Sequence, residues 1–298
     1  MYTPKKIAEI IKGKLSGPST TFSDRTFVSV KHLISDSRTI TNYSESVFFA
    51  LVSERNNGHK YLNDLYKNGV RCFVVSENVK LPKDCAVIKV KNTLTALQQL
   101  SSYHRQQFSL PVIAITGSNG KTIVKEWLYA LLKNNFNICR SPKSYNSQIG
   151  VPLSVWSLNG EHTVGIFEAG ISTTKEMQKL EKIIKPNIGV FTNLGDAHAE
   201  GFSGIKQKIA EKFSLFDNCD VIVVNGLSAK QIPAKYKKKK LIFIGTEKNA
   251  SVKIKRTQVN GSITKIELIY NSKNYSLEIP FTDSAYISYA ITCFAVLL

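Results

Sequence analysis

The sequence is short of acid: its 298 residues hold 22 Asp and Glu against 40 Lys and Arg, a formal charge of +18. Such a balance suits anionic partners, whether nucleotides, phosphosugars, nucleic acid or acidic membranes. It equally fits a lysine-rich bias spread over solvated faces. Paired cysteines are lacking too. Cys72, Cys85, Cys139, Cys219 and Cys293 are odd in number, form no CxxC, and several sit in apolar runs. That speaks against a disulfide framework and for reduced thiols in a cytoplasmic protein. No stretch is long and apolar enough to span a bilayer, and the N-terminus MYTPKKIAEIIKGKL is no signal peptide. It reads as a helix, with Thr3 as cap, Pro4 at the first helical position, and Ile7, Ile10, Ile11 and Leu15 in one stripe. Internal repeats and low-complexity tracts are absent. With 43% hydrophobic residues the chain has the material for real cores, which excludes disorder as the default.

The chain is long enough for two domains. Residues 1–108 read as a small α/β unit: the opening helix, a strand at 46–51, a helix through 59–69, strands at 71–76 and 86–90, and a helix from Asn92 carrying Leu94, Leu97 and Leu100. The Ser109-Leu110-Pro111 break leads into residues 109–298. There VGIFEA, TTKEMQKLEKII, IGVFTN, SGIKQKIAEKFSLF and DVIVVN alternate strand and helix signals, which predicts a parallel sheet covered on both faces. From about 252 the pattern becomes VKIKRTQV, the turn Asn260-Gly261, ITKIELIY and NYSLEI, an antiparallel meander at the sheet edge. KYKKKK at 235–240 lies between apolar segments and reads as a solvated loop. DSAYISYAITCFAVLL forms an apolar helix that stops without cap, polar tail or breaker, so the chain is expected to continue beyond it.

Chemistry concentrates at AITGSNGKTIVKEW, where the buried strand through Val112 and Ile115 gives way to a helix carrying Ile123, Trp127, Leu128, Leu131 and Leu132. Thr116, Gly117, Ser118, Asn119, Gly120, Lys121 and Thr122 then form a phosphate-binding loop. Its backbone N–H groups and helix N-terminus favour anions, Lys121 reaches β/γ-phosphate oxygens, and the Thr122 hydroxyl suits Mg²⁺. The spacing departs from G-x-x-x-x-G-K-[ST], because Ile115 stands where the first glycine would be. Glu168, His198 and Lys212 follow at or after the carboxyl ends of later strands, where open α/β sheets place ligands. A carboxylate there suits Mg²⁺, and Asp196 competes for that role. Taken singly, each has a plainer reading: a solvated strand-end Glu, a structural loop His, a surface Lys. RSPKSYNSQIGVPLSV, residues 140–155, is either a substrate-touching loop or an ordinary connector.

In this order and spacing, TGSNGKT, YNSQIGVP, FEAG, FTNLGDAHAEGF and IAEKFSLF resemble the ATPase domain of the Mur ligases, which build the peptide stem of peptidoglycan. SDSR at 35–38, SVFFAL and NNGHKYL at 56–62 resemble the uridine-diphosphate-binding domain of the later-acting members. Within the family the stretches are most similar to members adding D-alanyl-D-alanine to UDP-N-acetylmuramoyl-tripeptide, with lysine- or diaminopimelate-adding members as the nearest alternative. The wording is nearest a form fused ahead of an alanine racemase. The resemblance implies ATP and Mg²⁺ as cofactors, with Lys121 and Thr122 serving both and Asn193 at the nucleotide. It implies Glu168 and His198 at the metals, Lys212 carbamylated and bridging to Mg²⁺, and Asn146 near the phosphates. Ser37, Arg38 and His59 are implied at the uridine nucleotide. It further implies a C-terminal ligase domain beyond Leu298. The reaction implied is phosphorylation of a carboxylate by ATP, then attack of an amine on the acyl phosphate. The sequence departs from the family at AYISYA, where Tyr289 takes a position usually held by an asparagine near the adenine. Two rivals are a non-catalytic nucleotide- or UDP-sugar-binding remnant, and a nucleic-acid-binding NTPase; aromatic-basic interleaving that would favour the latter is missing.

Overall fold

Thr3 starts the first element: its hydroxyl accepts the Lys6 N–H at 3.2 Å, and Pro4 opens α1 (Pro4–Ile10). The computed structural model describes residues 2–17, 29–36, 42–195 and 201–298. The chain divides into two units, Met1–Gln107 and Phe108–Leu298. The first continues through β1 (Lys14–Ser16), β2 (His32–Ile34), β3 (Ser46–Phe49), the short pair β4 (Val52–Ser53) and β5 (Asn56–Asn57), α2 (Leu62–Lys67), β6 (Cys72–Val75), β7 (Ala86–Lys89) and α3 (Thr93–Arg105). The main sheet runs β1-β7-β6-β3-β2, parallel except for β1 against β7. Phe48 and Phe73 meet Leu62 and Leu65 of α2 in its core.

The second unit opens on β8 (Val112–Thr116), α4 (Lys121–Leu132), β9 (Ile138–Arg140), α5 (Gly150–Trp156), β10 (Val164–Glu168) and α6 (Met177–Ile184). It continues through β11 (Ile188–Phe191), α7 (Ile205–Phe213), β12 (Val221–Val224), β13 (Lys240–Gly245), β14 (Val252–Asn260), β15 (Ile263–Tyr270), β16 (Lys273–Ile279) and α8 (Ser284–Val296). Every residue of β8 is buried. Val112 and Ala114 join Phe167, Phe191, Phe213 and Leu180 on one face of the sheet, while Ile113 and Ile115 join Val124, Leu128 and Ile291 on the other. Alternate side chains of one strand thus serve two helical layers, so Val112 to Ile115 are all apolar and the first polar residue is Thr116 at the strand's end.

The strand order is β9-β10-β8-β11-β12-β13-β14-β15-β16, parallel from β9 to β14 and antiparallel through the last three. After β8 the chain goes outward to β9, returns to β10 beside β8, then crosses to β11 on the other side. The order reverses around β8, the kind of switch point at whose carboxyl ends open α/β sheets place ligands. Register puts Glu168 opposite Ile115 and Phe191 opposite Thr116, so three strands end at one level.

The α/β architecture and the edge meander agree with the sequence reading; two local expectations need correction. Residues 150–155 are helix, not connector: Pro152 sits in the first turn of α5, where its missing N–H costs nothing. α6 starts at Met177, since the Glu176 carboxylate accepts the N–H groups of Ser172 (2.7 Å) and Thr173 (3.0 Å) and closes 172–176 as a turn. The lysine run is a solvated loop as read, with Lys235, Lys237, Lys238 and Lys240 exposed, and it is tied down at two points. Tyr236 is buried and its hydroxyl donates to Asp217, Lys239 donates to the Cys219 carbonyl at 2.8 Å, and Lys240 begins β13. Among the described residues no helix is long and apolar enough to cross a membrane.

Candidate nucleotide-binding site

The turn from β8 to α4 is shaped by its neighbours. Gly117 adopts φ +149°, and a Cβ there would lie 2.0 Å from Thr192 Oγ1; Gly120 adopts φ +79°, and a Cβ would lie 2.2 Å from the Tyr289 ring. Both positions need glycine for conformation and for space. The end of β11 holds the loop from the side: Ser118 N–H donates to the Asn193 carbonyl at 3.0 Å, Asn119 N–H to Asn193 Oδ1 at 2.9 Å, and the Thr192 hydroxyl to the Asn119 carbonyl at 2.6 Å. These two loop N–H groups are therefore engaged by Asn193. The N–H groups at the head of α4 are what the loop offers an anion, because Gly120 supplies no side-chain cap there.

Two ammonium groups converge on this turn. Lys121 Nζ donates to the carbonyls of Gly117 (3.1 Å) and Ser118 (3.0 Å), and Lys212 Nζ, from the last turn of α7, donates to the same Gly117 carbonyl at 3.1 Å. Lys212 is 4% exposed. Burial, then the charges of Lys121 and Lys208, bring its pKa down from 10.5 to about 7. Burial also lowers Lys121, partly opposed by Glu168. Neutral carbonyls are poor compensation for one buried and one half-buried ammonium. The pair is an electrostatic demand for an anion.

Glu168 ends β10 fully buried. Its Oε2 accepts the Thr122 hydroxyl at 2.8 Å, and its Oε1 has no hydrogen-bond partner; the hydroxyls of Ser118 and Thr116 are likewise buried and unpartnered. Burial raises the Glu168 carboxyl, opposed by the Thr122 hydrogen bond and by Lys125 and Lys121. Among the described residues no three His, Cys, Asp or Glu gather as a metal cluster. A hydroxyl, one carboxylate with an unused oxygen and phosphate oxygens nearby are nonetheless the donor set that suits Mg²⁺. The residues fit the ion.

Asn146 approaches the same place: its carbonyl accepts the Gly170 N–H at 2.8 Å, two residues after Glu168. His198, Ser37, Arg38 and the rival Asp196 lie outside the described residues. His59, in the other unit, is stitched into its own surroundings. Its Nδ1 meets Asn57 Oδ1 at 2.6 Å and its Nε2 accepts N–H groups of Ser76 (3.0 Å) and Glu77 (3.3 Å), which fixes Nδ1 as the protonated nitrogen. Burial lowers its pKa against the pull of Glu77. Sequence reasoning passed over Thr192, Ser141 and Lys125. A buried lysine one turn after Lys121 carries no sequence signal that separates it from a solvated one.

The sequence pattern described as Mur ligase middle domain matches residues 115–297. The chain belongs to the Mur ligase family. A UDP-N-acetylmuramoyl-tripeptide--D-alanyl-D-alanine ligase of Bacillus subtilis is 31% identical over 246 residues, covering 82% of this chain and 49% of that protein. Crystal structure I of MurF from Acinetobacter baumannii superposes with a TM-score of 0.86 at 23% identity, covering 99% of this chain and 64% of that one. MurF from Thermotoga maritima in complex with ADP gives a TM-score of 0.79 at 20% identity, covering 90% and 62%. At these identities the structures establish a shared fold. The chain spans about half the length of the curated relatives it matches. Within this Mur ligase middle domain, Lys121, Thr122, Glu168 and Lys212 come together around one turn.

Proposed function

We propose that this chain serves ATP-dependent amide-bond formation in the cytoplasm, joining D-alanyl-D-alanine to UDP-N-acetylmuramoyl-tripeptide. The observation that carries the reading is the pair of ammonium groups, half-buried Lys121 and buried Lys212, sharing the Gly117 carbonyl beside an unpaired Glu168 oxygen. The names of the curated relatives supply the substrates. Five buried free thiols support a reducing compartment.

The substrate's free carboxylate takes the γ-phosphoryl group of ATP, ADP leaves, and the amine then attacks the acyl carbon of the resulting acyl phosphate, expelling phosphate and losing a proton. Lys121 exchanges its loop carbonyls for phosphate oxygens, and the head of α4 supplies N–H groups. Thr122 and Glu168 would hold Mg²⁺. When bound, Mg²⁺ neutralises charge between phosphate oxygens and the incoming carboxylate. Asn146, whose carbonyl holds the Gly170 N–H two residues past Glu168, would steady the phosphates. Lys212 is the residue to carry a carbamate: its ammonium loses a proton easily, the neutral amine adds CO₂ through a new N–C bond, and a second proton leaves to solvent, so that an anion stands where two ammonium groups were crowded. The residue roles at uridine are assigned to Ser37, Arg38 and His59, and His198 is assigned to the metal.

Calorimetric titration of UDP-N-acetylmuramoyl-tripeptide, with and without Mg²⁺ and adenylyl imidodiphosphate, tests the reading. Saturable binding of both is expected, with the adenine nucleotide lost in Lys121→Ala. A folded chain that binds the ATP analogue but ignores the muramoyl peptide would overturn the ligase assignment and leave a nucleotide-binding remnant.

A further inference from the structure

Among the described residues of the second unit, Lys125 is the most deeply buried charge that the reaction leaves unused. It lies one helical turn after Lys121 on α4 and is 0% exposed. Its ammonium donates to the Ser141 carbonyl at 2.7 Å and to the Lys143 carbonyl, with Glu126 Oε1 at 3.1 Å. Three acceptors match its three donors. A lysine is an expensive way to fill a core position, and burying one merely for packing is uncommon.

What it holds bears on the site. Lys143 adopts φ +48°, a left-handed conformation that costs a residue with a Cβ about 1 kcal/mol or more, and it turns its carbonyl toward the ammonium. Ser141, fully buried, donates its N–H to the Ile166 carbonyl at 3.1 Å and accepts the Glu168 N–H on its hydroxyl at 3.2 Å. The same segment continues to Asn146, whose carbonyl takes the Gly170 N–H. Two residues of one short segment, Ser141 and Asn146, thus grip the chain on either side of Ala169, and Lys125 fixes the root of that segment. Glu126 is shared onward with Arg140 Nη2 at 3.1 Å, and the Arg140 guanidinium lies 3.8 Å from the Tyr129 ring centroid. The brace returns to α4.

We propose that Lys125 is a positioning residue for the Mg²⁺–nucleotide site, holding the 141–146 segment so that Glu168 and Asn146 face the phosphate-binding turn. This rests on the nucleotide reading of the site. Charge and position pull in opposite directions, which makes the idea decidable. Deleting a cation near Glu168 should by electrostatics alone favour a divalent cation; releasing Glu168 from its register should disfavour one. Outer supports of metal ligands are worth about tenfold or more in affinity.

The test is calorimetric titration of adenylyl imidodiphosphate at a series of Mg²⁺ concentrations, for the unaltered chain, Lys121→Ala, Lys125→Met and Ser141→Ala, with circular dichroism to verify folding. In Lys125→Met the gain in affinity that Mg²⁺ brings is expected to fall about tenfold while Mg²⁺-free affinity stays near that of the unaltered chain. Ser141→Ala, which removes the grip on Glu168 without removing charge, is expected to change in the same direction. An undiminished or enlarged Mg²⁺ gain in folded Lys125→Met overturns the proposal. Should Lys125→Met not fold, Ser141→Ala decides alone, and an unchanged Mg²⁺ gain there overturns it equally. If the unaltered chain binds no analogue, the nucleotide reading itself fails and this inference with it; binding that survives in Lys121→Ala moves the nucleotide away from the turn, with the same consequence.

Discussion

At the scale of single residues the site is organised by charges that the chain cannot itself satisfy, and Lys212 reports this most directly. Burial first, then Lys121 and Lys208, take it from 10.5 to about 7. Between those values the folded chain binds fewer protons than the unfolded chain, so stability rises with pH across the window and is lost as pH falls toward 7. The slope is up to ~1.4 kcal/mol per pH unit for this one group. Urea denaturation in CO₂-free buffer from pH 7 to 10 should therefore show a rise that Lys212→Met flattens; identical slopes would mean the ammonium is not desolvated. With ¹³C-bicarbonate added, a carbamate resonance is expected from the unaltered chain and not from Lys212→Met, and its absence from both would sink the carbamate. Legibility was uneven here. Lys121, Thr122 and Glu168 were found from the sequence because a glycine turn and strand ends are local signals. Lys212, taken by itself, read as a surface lysine, and only family resemblance selected it. Lys125 went unnoticed, because what buries it is the carbonyl of Ser141, sixteen residues away in the chain.

Elements meet at the site through α8. Its Tyr289 ring covers Gly120, while Asn225, just past β12, donates to Thr292 Oγ1 at 2.8 Å and Ser288 Oγ at 2.9 Å and so seats the helix on the sheet. Tyr289 is thus a lid over the left-handed residue of the turn after β8. Truncating a buried aromatic costs about 3 kcal/mol or more. Tyr289→Ala is expected to lose that much in urea denaturation and to weaken adenylyl imidodiphosphate binding, since Gly120 would lose its backing. Tyr289→Phe keeps the ring and should keep both properties; an Ala variant that binds the nucleotide undiminished would reduce Tyr289 to packing. The long alternating elements were legible as a parallel sheet because β8, β10, β11 and β12 are apolar runs bounded by breakers. β1, β2 and β9 were not, because three residues give no periodicity to read. α5 was hidden by Pro152, which marks a helix start as well as a break.

At the scale of the whole molecule, two cores and a large positive charge must be told apart in any ligand measurement. Both tryptophans, Trp127 and Trp156, belong to the unit Phe108–Leu298, so their fluorescence follows the unfolding of that unit alone. A ligand at about a hundred times its Kd adds ~2.7 kcal/mol to the state it binds. For a unit of this size that is a rise of roughly 5–10 °C in Tm. The net charge of +18 complicates this, because any polyanion relieves self-repulsion and raises Tm somewhat. Inorganic tripolyphosphate at matched concentration supplies that general term. Adenylyl imidodiphosphate with Mg²⁺ should raise the tryptophan-reported midpoint beyond the tripolyphosphate value, and Lys121→Ala should bring the two ligands level. Equal shifts in the unaltered chain would mean that the turn after β8 recognises phosphate charge without the nucleoside. A full shift retained in Lys121→Ala would mean that the ligand binds the positive surface rather than the turn.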